Sequence, residues 1–93
     1  MSDDSILKKI SQSELDEVAR KHTMFRMARL GGVRAQFNNH DLSHMSLRGY
    51  DLCHADFTGV SLHQSDLRDA KLDYAVFFGA DMRFTNLQAS SLV

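Results

Sequence analysis

From Ala35 onward the apolar positions recur every fifth residue: Phe37, Leu42, Leu47, Leu52, Phe57, Leu62, Leu67, Leu72, Phe77, Met82, Leu87 and Leu92. Neither the 3.6-residue period of a helix nor the two-residue period of a strand fits this spacing. Leu, Phe and Met account for 22 of the 93 residues, so twelve successive hits in one frame arise by chance on the order of 10⁻⁸, which marks an internal repeat. Two positions ahead of each central residue stands a column dominated by small residues: Ala35, His40, Met45, Tyr50, Ala55, Val60, Ser65, Ala70, Ala75, Ala80, Thr85 and Ser90. Asp41, Asp51, Asp56, Asp66 and Asp81 lie immediately before central residues, where a short carboxylate caps turn amides.

Upstream the pattern changes. Ser11 and Glu14 have the spacing of a capping box. Leu15, Val18, Ala19, His22 and Phe25 then recur at steps of three and four, and Gly31–Gly32 supplies a left-handed stop. These features predict an amphipathic helix over roughly 12–30, with a shorter helical turn at 4–10. The chain thus divides into an N-terminal helical cap, 1–33, and a repeat region, 34–93, forming one structural unit.

The units "ADFTG" (55–59), "SDLRD" (65–69) and "ADMRF" (80–84) resemble the A-(D/N)-L-x-x units of the pentapeptide-repeat family, and the resemblance runs over residues 35–93. "KHTMFRMARLGGVRA" is similar to the helical lead-in of some members. The resemblance implies a mainly β protein: a right-handed quadrilateral β-helix, here of about three coils, with one pentapeptide per side and the central residue inward. Residues 20 apart then stack, which places Phe37, Phe57 and Phe77 in one aromatic core stack. The bulky His40, Met45 and Tyr50 predict a wider or distorted first coil. Lys71 and Val76 replace the capping Asp and predict altered turn bonding there.

In this register Phe78 and Val76 point outward and Phe84 sits at a corner of the last coil. The terminal coil would expose Leu87, Leu92 and unpaired backbone, which predicts an interface of Val76, Phe78, Phe84, Leu87, Leu92 and Val93. A two-fold homodimer is the leading occupant, supported by the C-terminal pairing that the resemblance implies; another protein or further coils also fit. Arg48, Arg68 and Gln88 form a surface ladder, read chiefly as a salt network with Asp51, Asp69 and Asp73 and alternatively as a contact for an anionic surface.

Composition narrows the function. A net charge of −1 disfavours direct nucleic-acid binding. No apolar run reaches membrane-span length, and the lone Cys53 gives no reason to invoke an oxidising compartment, so a cytoplasmic protein away from membranes is expected. His40, His44, His54, His63 and Cys53 invite a metal reading, but the register disperses them, so neither metal nor cofactor is expected. Cys53 is expected to face outward as an accessible thiol. No nucleophile motif, phosphate loop or carboxylate pair appears, so the protein is not expected to be an enzyme. The expected role is a scaffold or protein-interaction module with an unidentified partner. The rival is quinolone-resistance-like protection of a type II topoisomerase by DNA mimicry, although residues 34–93 carry only seven Asp against five Lys and Arg. The resemblance also implies a bacterial source.

Overall fold

The computed structural model describes residues 7–93. Strand β1 (Lys8–Lys9) precedes helix α1 (Gln12–Arg26), and strand β2 (His40–Asp41) opens the repeat region. Downstream of β2 the backbone is built from turns and single parallel bridges. Eight such bridges join residues 20 apart, from Gln36–Asp56 and Asp41–Ser61 through to Asp66–Asn86 and Lys71–Ser91. The chain therefore returns to its own edge every 20 residues, which makes the repeat region a β-helix-like solenoid.

Each pentapeptide corner is the same turn. The amide three residues after a central residue donates to that residue's carbonyl, as in His40→Phe37 at 3.1 Å and Ser65→Leu62 at 3.0 Å. The residue two after each centre, from Asn39 to Ala89, is left-handed. A third turn position with positive φ is the signature of a type II turn, which favours Gly or Asn there. Asp41, Asp51, Asp56, Asp66 and Asp81 complete the corners by accepting the amide two residues on, at 3.0–3.2 Å, and Asn86 does the same for Gln88. No such side-chain acceptor exists at Lys71 or Val76, yet both still take part in the 20-residue ladder.

Central side chains from Phe37 to Leu72 are fully buried. The rings of Phe37 and Phe57 stack at 5.2 Å, and those of Phe57 and Phe77 at 5.0 Å and nearly parallel. Buried Ser65 donates its hydroxyl to Leu62 O at 2.7 Å, so this polar side chain is satisfied inside the core.

The ladder keeps its register through the first coil despite His40, Met45 and Tyr50. These three remain half-buried instead of fully enclosed, because the cap gives them somewhere to go. Tyr50 donates its hydroxyl to Asp16 of α1, and Met45 and Tyr50 pack beside the core together with Val18 and Ile10.

Helix α1 begins at the predicted capping box: Ser11 Oγ accepts the Glu14 amide at 3.1 Å and Glu14 accepts the Ser11 amide at 2.8 Å. It buries Leu15, Ala19 and His22 against the first coil and leaves Phe25 exposed. The helix ends at Arg26, four residues short of the expected 30. Ala28, at φ 55°, provides the first left-handed residue after it. Gly32 serves another purpose than a stop: a Cβ there would lie 2.7 Å from the Met24 carbonyl carbon, so the returning chain packs directly on the last helical turn. The helical turn expected at 4–10 is replaced at its described end by β1, which pairs parallel with β2, Lys8 to His40 and Lys9 to Asp41. Residues 4–6 of that expectation lie outside the described residues.

Candidate interaction surfaces

The first and last coils of the described residues are covered differently. At the N-terminal end the open backbone edge is covered piece by piece. Strand β1 pairs with residues 40–41, and the Gln12 side-chain amide imitates a strand by donating to Ser46 O at 2.8 Å and accepting from Ser46 N at 3.0 Å. His22 closes the last gap. Its Nδ1 accepts the Ala35 amide at 2.9 Å, which fixes the proton on Nε2 for donation to Cys53 O at 2.7 Å. Burial holds the His22 pKa below its ordinary value.

That closure corrects the expectation for Cys53. The thiol is buried under the cap, and burial raises its pKa, so it is the opposite of an accessible, activated cysteine.

At the C-terminal end the central residues lose their cover. Phe77, Met82 and Leu87 are half-buried where their counterparts 20 residues earlier are sealed, and Leu92 is exposed. Val76 and Val93 are exposed beside them; Phe78 is 81% and Phe84 78% exposed. Phe84 is also a bulky residue held at φ 59°, with its ring edge-on to His63 at 5.5 Å.

Arg48, Arg68 and Gln88 line one shallow cleft of about 230 Å³ with Asp69 and Ala89. Arg68 makes a two-pronged contact with Asp66, at 2.8 and 2.9 Å, and Arg48 reaches Asp69 at 3.6 Å. The Arg68 guanidinium pulls the Asp66 carboxyl down to about 2. Of the other acids named for this network, Asp51 pairs with Arg26 at 3.5 Å and Asp73 accepts the Val93 amide at 3.2 Å. The guanidiniums thus find separate carboxylates and do not converge on a common point.

Two of these histidines meet across adjacent coils, His44 edge-on to His63 at 6.1 Å, while His54 stacks on Tyr74 at 5.1 Å. Among the described residues no three His, Cys, Asp or Glu side chains gather as a metal-holding group. Nor is any helix among the described residues long and apolar enough to cross a membrane.

One further column lies outside the residues singled out from the repeat pattern. Arg34, His54 and Tyr74 are spaced by 20, as the stacked core residues are, and they meet Phe25 and Arg26 of α1 around a cleft of about 440 Å³. The 20-residue register alone could have placed the first three together; only the docked helix adds the other two.

The pentapeptide-repeat family model matches residues 35–73 in eight copies. The match covers a little under half of the chain, all of it within the repeat region. The bridges continue the same 20-residue ladder beyond the matched array, to Lys71–Ser91. Among solved structures, a pentapeptide repeat protein from the cyanobacterium Cyanothece 51142 is similar at 21% identity and a TM-score of 0.36, over 67% of this chain. The chain spans about half of that protein, 49% of its length. No curated protein matches the chain.

Proposed function

We propose that the protein is a non-catalytic protein-interaction module whose pentapeptide-repeat array forms a right-handed, four-sided β-helix of about three coils and pairs with a second copy through its C-terminal coil. Bridges at every fifth residue, each spanning 20, support the four-sided geometry. The contrast between the two ends is the observation that carries the interface. Three separate devices cover the N-terminal edge, whereas the C-terminal edge presents half-open Phe77, Met82 and Leu87 ringed by Val76, Phe78, Phe84, Leu92 and Val93. Unpaired sheet edges and contiguous apolar patches are surfaces that proteins usually cover. A two-fold axis perpendicular to the solenoid axis would set the two C-terminal edges face to face and let one edge satisfy its copy.

Light scattering on a sizing column, from low micromolar to millimolar concentration, tests this reading. The expected result is a dimer that Phe78→Asp converts to a monomer with an unchanged circular dichroism spectrum. A monomer at every concentration, or a dimer indifferent to Phe78→Asp and to Phe84→Asp, would reject the proposed interface.

A further inference from the structure

Where helix α1 meets the solenoid wall, Phe25, Arg26, Arg34, His54 and Tyr74 enclose the cleft of about 440 Å³, within the size range of small-ligand pockets. Its wall is an aromatic platform: the His54 and Tyr74 rings stack at 5.1 Å with only 17° between their planes, and Tyr74 remains 63% exposed. Phe25 is exposed on the helix side and touches His22 through a tilted ring contact at 5.7 Å, which ties it to the buried cap.

The cationic component is set just as locally. Arg34 donates its Nε to His54 O at 2.6 Å, which fixes the stem beside the platform and leaves the terminal guanidinium nitrogens for another acceptor. Arg34 has no ion-pair partner among the described residues, whereas Arg26 is already engaged by Asp51 at 3.5 Å. Both His54 and Tyr74 are left-handed, a conformation that disfavours large side chains, and Gly fills the equivalent corner at 49, 59 and 79. Two rings are therefore held on the surface at positions where the backbone alone would favour Gly.

We propose that this cleft binds a planar aromatic anion, its ring lying on the His54–Tyr74 platform opposite Phe25 and its acidic group meeting Arg34. Aromatic stacking and a charge-assisted guanidinium contact supply the recognition. This chemistry occurs both in nucleoside monophosphates and in aromatic carboxylates.

Isothermal titration with the full chain, using adenosine 5′-monophosphate and 2-naphthoate as separate probes, tests the assignment and distinguishes the two sources. The expected result is a dissociation constant at or below about 1 mM for at least one of them, with adenosine and inorganic phosphate alone at least tenfold weaker. Tyr74→Asn, which keeps a residue tolerant of positive φ, and Arg34→Gln should each weaken that binding at least fivefold. Amide chemical shifts should report the folded state of both variants. Dissociation constants above about 10 mM for both probes, or binding unchanged in both folded variants, would overturn the site.

Discussion

Acidification should loosen the cap through one residue. His22 is fully buried, and both of its ring nitrogens are committed: Nδ1 accepts the Ala35 amide and Nε2 donates to Cys53 O. Protonation would set an Nδ1–H against the Ala35 N–H, donor against donor, in a site whose burial already lowers the pKa from 6.5. Arg26 and Arg34 nearby also disfavour the imidazolium, while the Cys53 carbonyl and Asp51 favour it. Because the folded pKa lies below the unfolded one, the unfolded chain binds the extra proton first as pH drops. Stability from this residue is complete above about 6.5 and is lost as pH falls from there towards the folded value. At pH 5.5 the loss can reach about 1.4 kcal/mol, set by titration of the unfolded histidine alone. With a urea dependence near 1 kcal/mol/M for a domain of this size, the midpoint should move down by up to about 1.4 M. The comparison is with His22→Gln, which is less stable at pH 7.5 but cannot titrate at this position. The other histidines and the carboxylates are common to both proteins, so only the difference in slope between pH 7.5 and 5.5 belongs to residue 22. Parallel pH profiles for the two proteins would refute the reasoning.

Phe57 lies between two stacked rings and is fully buried, so Phe57→Ala should cost about 3–5 kcal/mol in urea unfolding; a cost under about 1 kcal/mol would mean that the stack does not organise the core. Gly32→Ala should destabilise by about 1–3 kcal/mol, because its Cβ meets the backbone of α1, whereas Gly49→Ala meets no atom and bears only the left-handed penalty. Urea midpoints for the pair check the ordering. The carboxyls of Asp66 and Asp81, each pulled to about 2 by hydrogen bonds from Arg68 and Arg83 respectively, contribute stability that is present above about 3.8 and lost as pH falls through 2. Carbon-detected carboxyl titrations should show both midpoints well below those of unfolded aspartate.

The solenoid was legible because its period is a property of the sequence itself. Any residue at a known offset from Phe37 has a defined place, and the stacking of Phe57 on its neighbours follows from counting. The cap was harder to read. The capping box located the start of α1, but Gly31–Gly32 pointed to a helix end that the structure places at Arg26, since a close-packing glycine and a stopping glycine look alike in sequence. Cys53 departs from its expected exposure for a related reason: repeat register describes the coil alone, whereas this corner also meets α1, whose His22, 31 residues earlier, bonds the Cys53 carbonyl. Lys8–Lys9 carries no apolar alternation, and its pairing with β2 depends on an edge that exists only after the coil has formed. The exposed Phe78 and Phe84 were visible from the register, and their unusual exposure becomes informative only beside the covered N-terminal end.

The pairing of Lys8 with His40 has a topological consequence. Everywhere else in the ladder one rung is reached from the previous one by travelling 20 residues, but here the chain travels 32 and still lands in parallel on the adjoining rung. Helix α1 is therefore an excursion inserted between two consecutive rungs, not a lid appended beyond the last one. The excursion leaves the ladder after Lys9 and is back in it by Gln36, which bridges to Asp56. The segment between is also held by Gln12, Leu15, Ala19 and His22, so a detour of another length could replace it only by bringing groups that seal the same edge.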